Sequence, residues 1–172
     1  MDESMHPDAR VRQAETALRA LRLGLQQVAD WILFLEDDLD FNRHLHHNLQ
    51  CWRPLCDNFG PMASLYNPNI RQRVVCETEH WFEAEPTAIY GSQAYLFTRQ
   101  AATLVTERWD EIAGMQDIKM SRLAALLGLI YYHTPSLVQH VGRESAWGGK
   151  FHWTQDFNPA FRNPQKRAEV KI

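Results

Sequence analysis

The stretch Trp31-Ile32-Leu33-Phe34-Leu35-Glu36-Asp37-Asp38-Leu39-Asp40 decides the fold class of this chain. Its first half is a run of five apolar residues, without the alternation of a strand that has one solvated face. Such a run predicts a strand covered on both faces, as in a parallel or mixed sheet packed between helices. Its second half places four carboxylates within five residues, where the strand leaves the sheet.

Helical and extended patterns alternate around this strand. Upstream, apolar residues spaced three and four apart from Val11 to Val28 predict an amphipathic helix, with Pro7 suited to its first turn. Downstream, the spacing predicts helices over 41–52, 100–112 and 117–128, and strands over 62–66, 74–76, 87–98 and 129–132. The alternation of helices with buried strands places the chain in the α/β class.

Composition narrows the classes of function. The 172 residues are one domain's worth, and 45% hydrophobic with 11% aromatic residues excludes a disordered chain. A net charge of −3 argues against nucleic acid as a partner, and no apolar run is long enough for a membrane span. The acidic N-terminus lacks the features of a secretory signal, and three cysteines favour a reducing compartment. We therefore predict a cytoplasmic protein.

The acidic residues 36–40 have the composition of a cation site. Clustered carboxylates repel one another unless a cation neutralises them, and hard divalent cations such as Mg²⁺ or Mn²⁺ prefer oxygen ligands. In open α/β sheets ligands bind at the carboxyl ends of strands, which is where these residues lie. The alternative is that Asp38 or Asp40 caps a following helix. An EF-hand is excluded, because its glycine and glutamate positions hold Arg43 and Leu49.

The acidic strand resembles the strand and metal-binding motif of GT-A-fold glycosyltransferases. Two later segments fit the same family, Tyr90-Gly91-Ser92-Gln93-Ala94-Tyr95-Leu96-Phe97-Thr98-Arg99 and Pro135-Ser136-Leu137-Val138-Gln139-His140-Val141-Gly142-Arg143-Glu144-Ser145. The second is similar to the segment that closes the catalytic domain in the N-acetylglucosaminyltransferase IV-like branch and its bacterial relatives. The resemblance covers Ala9 to Trp147 and implies a partial GT-A, Rossmann-like mixed sheet flanked by helices.

The resemblance also implies a metal site. In this family the acidic motif binds Mn²⁺ or Mg²⁺ and, through the metal, the diphosphate of a nucleotide-sugar. Carried over to this sequence, Asp38 is the expected direct metal ligand, with Asp37 beside it. His140 matches a histidine that contacts the metal or the diphosphate from the far side.

Further residues take roles in the cleft by the same resemblance. Glu36 is expected to contact the nucleotide ribose or to orient the acidic cluster, and Gly91 and Ser92 to shape the cleft. Arg143 opens a basic tail, which either screens the diphosphate or is a solvated end. Asp117 stands where inverting members place the general base that takes the proton from the acceptor hydroxyl.

Each of these residues also has a structural interpretation. Asp117 precedes an apolar-periodic helix and is an N-cap candidate, and a helix cap can also serve as a base. His140 fits a hydrogen-bonded structural histidine, and Gly91 a bulge or a close backbone approach. His44 and His47 share a helix face near the acids, where solvated surface histidines are more common than a zinc site.

These observations lead to three hypotheses of function. The first is a metal-dependent glycosyltransferase that moves a sugar from a nucleotide donor, a UDP-sugar, to a carbohydrate acceptor by an inverting route. The second is a truncated or degenerate GT-A domain that binds a partner without turnover, because the family's nucleotide-binding βαβ unit is expected upstream and only its last helix is present. The third and weakest is a metal-dependent phosphoesterase.

The resemblance to GT-A enzymes also predicts the domain organisation of the chain. Residues 1–147 are predicted to form the metal-binding and acceptor half of a glycosyltransferase-like α/β domain, and residues 148–172 an irregular tail rich in aromatic and basic residues. A sheet edge left exposed by a missing half would favour a homodimer.

Overall fold

The structure, a computed structural model, describes residues 5–85, 88–142 and 153–165 and shows an α/β protein. Its helices are α1 (Ala9–Leu25), α2 (Leu45–Cys51), α3 (Arg53–Cys56), α4 (Arg99–Glu107) and α5 (Gln116–Ala124). Its strands are β1 (Trp31–Leu35), β2 (Leu39–Phe41), β3 (Met62–Ser64), β4 (Gln72–Cys76), β5 (Trp81–Ala84), β6 (Ala94–Thr98), β7 (Ile130–His133) and β8 (Val138–His140). Short 3₁₀ turns lie at Glu77–Glu79 and Trp109–Glu111.

Six of the strands form one mixed sheet in the order β1-β6-β3-β7-β5-β4. The β3–β7 pair is parallel, and every other neighbouring pair in this sheet is antiparallel. The remaining strands, β2 and β8, form a separate antiparallel ribbon. The predicted α/β class with a mixed sheet flanked by helices is confirmed.

Helices cover the sheet on both faces. On one face, α1, α4 and α5 bury residues such as Leu21, Val105 and Leu123 against the strands. On the other face, α2, α3 and the residue between them, Trp52, form a second core cluster. Within β1, Ile32 and Phe34 belong to the first cluster and Trp31 to the second, as the unbroken apolar run predicts.

The first helix and first strand follow the prediction closely. Asp8 caps α1 by accepting a hydrogen bond from the Arg10 backbone N–H at 2.9 Å. The apolar stripe continues to Leu25, where the helix ends, and Val28 beyond it is fully exposed. The strand predicted from the apolar run forms over Trp31–Leu35 and pairs with β6.

Two predicted elements are wrong in part. Residues Leu39–Phe41 form β2, and the helix predicted from residue 41 starts only at Leu45. The partner of β2 is β8, about a hundred residues away, so a local pattern could not reveal the pairing. The strand predicted over 87–98 forms only at Ala94–Thr98, and β5 was not predicted.

The segment 153–165 contains no helix or strand and is held by side-chain amides. The Asn42 amide donates to the Asn158 and Phe161 carbonyls at 2.7 and 2.9 Å. The fully buried Asn48 donates to the Phe161 carbonyl at 3.0 Å and accepts from the Asn163 N–H at 2.8 Å. Residues 148–152 and 166–172 of the predicted tail lie outside the described residues.

Several aromatic rings pack together where segment 153–165 contacts the core. The Phe161 ring packs edge-on against His80 and His133, with ring centroids 4.9 and 5.7 Å away. His133 is fully buried, and its burial lowers the pKa of the imidazole to about 3. Its Nδ1 lies 2.7 Å from the Pro135 carbonyl oxygen and donates to it. The imidazole is therefore neutral near pH 7 and acts as part of the core.

Helix length and polarity bear on the membrane prediction. Of the helices in the described ranges, none is long and apolar enough to cross a membrane.

Candidate metal centre

Three side chains meet at the end of β1. Glu36 directly follows this strand, Asp38 directly precedes β2, and His140 is the last residue of β8. The ribbon aligns Leu39 with His140, which places Asp38 beside the histidine. The Asp38 Oδ2 and His140 Nε2 atoms are 3.0 Å apart, and the Val141 N–H donates to the Asp38 carbonyl at 2.9 Å. The β2–β8 pairing thus fixes two of the three groups.

The donor set fits a hard or borderline divalent cation. One ligand atom from each of Glu36, Asp38 and His140 lies within 4.8 Å of the others. The 3.0 Å between Asp38 Oδ2 and His140 Nε2 is a hydrogen-bond distance, and the same spacing suits two neighbouring ligands of a cation with bonds of about 2.1 Å. The Asp38 Oδ1 atom is buried without a hydrogen-bond partner among the described residues. Two carboxylates and one imidazole fit a divalent cation and do not identify which one.

Gly142 leaves room for this group. An alanine Cβ at this position would lie 1.9 Å from Asp38 Oδ2 and 2.8 Å from His140 Nε2. Both distances are far below van der Waals contact, so only glycine fits without displacing the two side chains. The backbone at Gly142 therefore lies too close to Asp38 and His140 to leave space for a side chain.

Glu36 is held by three donors. Its Oε1 accepts from the Ser92 hydroxyl at 2.7 Å and from the Gln116 amide at 2.9 Å, and its Oε2 accepts from the Gln93 amide at 3.3 Å. The same Gln116 nitrogen lies 2.9 Å from the Ser92 oxygen, which closes a triangle of hydrogen bonds. Burial raises the pKa of Glu36, although the bonds from Ser92 and Gln116 favour its charged form. The carboxylate is fixed in direction but poorly solvated.

Asp117 holds the turn at Gly91. Its Oδ2 accepts from the Gly91 N–H at 2.8 Å, and its Oδ1 accepts from the Ile118 N–H at 2.8 Å. The N-cap of α5 is Met115, so Asp117 lies inside the first turn, where a carboxylate complements the helix dipole. Asp117 is only 7% exposed.

Gly91 has a backbone conformation that only glycine adopts easily. Its φ is +84°, and an added Cβ would also lie 2.8 Å from Gln93 Oε1 and 3.0 Å from Pro68 Cγ. The expected close backbone approach at this position is therefore observed, in a loop that precedes β6.

The structure brings most of the predicted residues together. Glu36, Ser92, Gly91 and Asp117 are linked through hydrogen bonds to the Gly91–Ser92 turn and to α5, and Glu36 adjoins Asp38 and His140. Asp37 is exposed and is not in the three-residue group. Arg143 lies outside the described residues.

The other histidines near the acids have different positions. His44 precedes α2 as its N-cap residue, and His47 Nε2 lies 2.9 Å from the Asn163 carbonyl oxygen. Neither belongs to the candidate metal group found in the described part of the chain. His47 therefore contributes to the attachment of segment 153–165 to α2.

Sequence reasoning missed two amides of the site. Gln93 and Gln116 both donate to Glu36, and Gln116 is 4% exposed. Neutral amides form no charge pattern that would mark them in the sequence. The only signal for these two residues was their position next to predicted site residues. Gln116 precedes the predicted Asp117, and Gln93 follows the predicted Ser92.

Comparisons with known proteins add no assignment to this geometry. Neither the models of known protein families nor the curated proteins match the chain. The fold and the site therefore define the chain as an α/β protein with a candidate divalent-cation centre at the edge of a mixed sheet.

The burial of Glu36 leads to a prediction about stability. Because the pKa of Glu36 is raised in the folded chain, its ionisation above that pKa opposes folding. We expect Glu36→Gln to raise the free energy of unfolding at about pH 7 by about 1 kcal/mol, in metal-free solution. The gain is expected to vanish at about pH 3.5, where Glu36 is protonated in both states. Urea unfolding at the two pH values measures this difference in the free energy of unfolding. A variant less stable than the wild type at neutral pH would show that the hydrogen bonds from Ser92, Gln93 and Gln116 stabilise ionised Glu36 more than its burial destabilises it.

Proposed function

We propose that this chain is a metal-dependent glycosyltransferase-like protein that acts on a nucleotide-sugar, a UDP-sugar, and a carbohydrate acceptor. The observation that supports it best is the Glu36–Asp38–His140 group at the end of β1, joined to the Gly91–Ser92 turn through the Ser92–Glu36 hydrogen bond. The sequence resemblance to GT-A enzymes implies metal roles for Asp38 and His140 of this group, and for Glu36 a contact with the ribose or an orienting role. In this proposal the nucleotide-sugar is the donor, the carbohydrate is the acceptor, and Mn²⁺ or Mg²⁺ is the cofactor.

The roles of the residues follow from their contacts. A bound divalent cation would stabilise the negative charge that develops on a departing nucleoside diphosphate. Asp38 and His140 would hold that cation, and the β2–β8 ribbon keeps them at a fixed separation. Glu36 would complete the group or orient it, since Ser92 and Gln116 fix its carboxylate. Asp37, being exposed, could interact with ligand groups from the solvent side.

The position of Asp117 favours a second candidate, binding without turnover. Both of its carboxylate oxygens accept backbone hydrogen bonds, and the side chain is nearly inaccessible. A base must reach the acceptor hydroxyl, so in the catalytic version the Gly91–Ser92 turn has to move away from Asp117. In the binding version the turn stays in place, and Asp117 only holds it.

Thermal unfolding with Mn²⁺ and UDP tests the metal–nucleotide site. We expect millimolar Mn²⁺ with UDP to raise the unfolding midpoint of the wild type, because a ligand that binds only the folded state stabilises it. Asp38→Ala should lose this shift. Asp40→Asn is the matched control, since Asp40 lies in the same acidic stretch, is exposed and is outside the three-residue group, and it should keep the shift. Equal shifts in wild type and Asp38→Ala would contradict the proposal.

Turnover separates the two versions of the function. Hydrolysis of a UDP-sugar, or its transfer to a carbohydrate, by the isolated chain with Mn²⁺ would support the enzyme. A ligand-induced shift without hydrolysis or transfer would support the binding version instead. Asp117→Asn should abolish turnover in the first case and leave the binding of Mn²⁺ and UDP unchanged in both.

A further inference from the structure

Four rings form a cage around two histidines that the candidate metal centre does not use. His133, the last residue of β7, is fully buried, and His80, directly before β5, is half-buried. Their rings are stacked at an interplanar angle of 14°, with centroids 6.4 Å apart. The Phe161 ring packs edge-on against both, and the Trp52 ring lies 5.0 Å from that of His133. The two imidazoles are therefore enclosed mainly by aromatic surface.

The Nε2 atom of His133 has no partner in this cage. Its Nδ1 donates to the Pro135 carbonyl at 2.7 Å, while Nε2 is buried without a hydrogen-bond partner among the described residues. A proton added to Nε2 would create a buried charge whose new N–H has no acceptor. The closed cage therefore favours the neutral imidazole.

The carboxylates on the neighbouring elements do not offset such a charge. In the described ranges these are Glu77 and Glu79 on the turn before β5, Glu83 on β5, and Asp156 in segment 153–165. None of them forms an ion pair with either imidazole, and His80 itself opposes a positive charge on His133. On α2, the Nε2 atom of His47 lies 2.9 Å from the Asn163 carbonyl, to which it can donate in either charge state. Acid therefore acts on the cage through His80 and His133.

Residues 158–163 are the part of the cage that can detach most easily. They contain no helix or strand, and most of them are exposed. The side-chain amides of Asn42 and Asn48 hold them through hydrogen bonds of 2.7–3.0 Å. The other rings belong to the main body of the fold, since Trp52 lies between two helices and His133 ends a strand of the sheet. Local opening is easiest where few buried contacts hold a segment.

The charge of the two histidines depends on whether the cage is closed. Burial lowers the pKa of His133 to about 3 and holds the pKa of His80 below its ordinary value. An exposed histidine has a pKa of about 6.5. The closed state is therefore most stable above about pH 6.5 and loses stability as the pH falls below it, because the open state binds protons that the closed state does not. For His133 alone, the equilibrium constant for opening rises about 25-fold from about pH 7 to about pH 5.

We propose that residues 158–163 are an acid-released latch, which detaches when the two histidines under Phe161 take up protons. Detachment separates the Phe161 ring from His80 and His133 and breaks the hydrogen bonds of the latch to Asn48. Neither histidine belongs to the candidate metal group, so the latch is independent of the proposed function.

Hydrogen exchange of the Asn163 amide in the metal-free chain measures this opening, because that N–H donates to Asn48 Oδ1 in the closed state. With intrinsic rates corrected for pH, its protection factor should fall by at least about 25-fold from about pH 7 to about pH 5. At both pH values it should be lower than the protection factors of the amides in β6 (Ala94–Thr98) and nearly independent of urea, since a local opening exposes little surface.

Two results of this measurement would overturn the proposal. The first is an Asn163 protection factor that stays the same between the two pH values. The second is an Asn163 amide with the protection and the urea dependence of the β6 amides, because residues 158–163 would then detach only when the whole chain unfolds.

Substitutions identify the titrating groups. His80→Asn keeps a residue that tolerates the left-handed conformation at this position (φ +60°), and His133→Gln keeps a neutral side chain that can donate. In the double variant, the Asn163 protection factor should agree within about twofold between the two pH values. His80→Asn alone, at the half-buried position, should already reduce the fall. His46→Gln, at an exposed histidine of α2, should keep the full fall of the wild type. An undiminished fall in His80→Asn or in the double variant would contradict the proposal.

Discussion

Gly142→Ala is expected to weaken the binding of Mn²⁺ at the proposed site by about 100-fold while the chain stays folded. The new Cβ would lie 1.9 Å from Asp38 Oδ2 and 2.8 Å from His140 Nε2, so both side chains must move out of their positions. Disturbing the groups that orient metal ligands commonly weakens binding by about 10–100-fold, and displacing two ligands should reach the upper end of that range. Calorimetric titration with Mn²⁺ measures the affinity.

The metal-free stability of the variant provides the control for this result. Gly142 follows β8, and its conformation is not one that requires glycine, so the metal-free unfolding midpoint should change little. Val141→Ala, at the exposed neighbouring residue, should bind Mn²⁺ as the wild type does. If Gly142→Ala bound Mn²⁺ with wild-type affinity, Asp38 and His140 would not be the ligands.

Asn48→Ala is expected to lower the free energy of unfolding more than any of the other substitutions. The side chain is fully buried and joins α2 to the segment 153–165 through the Phe161 carbonyl and the Asn163 N–H. Its removal leaves the Asn163 N–H without an acceptor and a gap between the two elements. We expect a loss of about 2–3 kcal/mol, and each kcal/mol lowers the midpoint of a domain of this size by about 2–4 °C.

Two measurements separate loss of this attachment from general destabilisation. Urea unfolding gives the free energy, and limited proteolysis of the folded variant should cleave within 153–165 before the rest of the chain. Gln155→Ala, at an exposed position of the same segment, should match the wild type in both. Equal stability of Asn48→Ala and wild type would mean that water replaces the amide without cost.

The parts of the fold that sequence could predict are those with a local signal. The unbroken apolar run from Trp31 to Leu35 predicts a strand buried on both faces, and β1 has those bounds. The spacing from Val11 onward predicts α1 in the same way. The acidic residues after β1 also predict a cation site by composition alone, and two of them, Glu36 and Asp38, lie in the three-residue group.

The parts that sequence could not predict depend on contacts between distant residues. Nothing near Asp40 shows that Leu39–Phe41 pairs with Val138–His140, although this pairing places Asp38 beside His140. The amides of Gln93 and Gln116 are likewise recognisable only when Glu36 is next to them. The exposure of Asp37 depends on how the chain turns between β1 and β2, which a run of three acids does not determine.

The attachment of segment 153–165 has a consequence for synthesis of the chain on the ribosome. Asn42 and Asn48 are made early, but their partners at Asn158, Phe161 and Asn163 lie more than a hundred residues later. Domains fold while synthesis proceeds from the N-terminus, at about 5–20 residues per second. Until residue 163 leaves the exit tunnel, the polar groups of α2 remain exposed, and the second core cluster lacks Phe161. A nascent chain stalled before this point would therefore lack the partners of Asn42 and Asn48 in this segment.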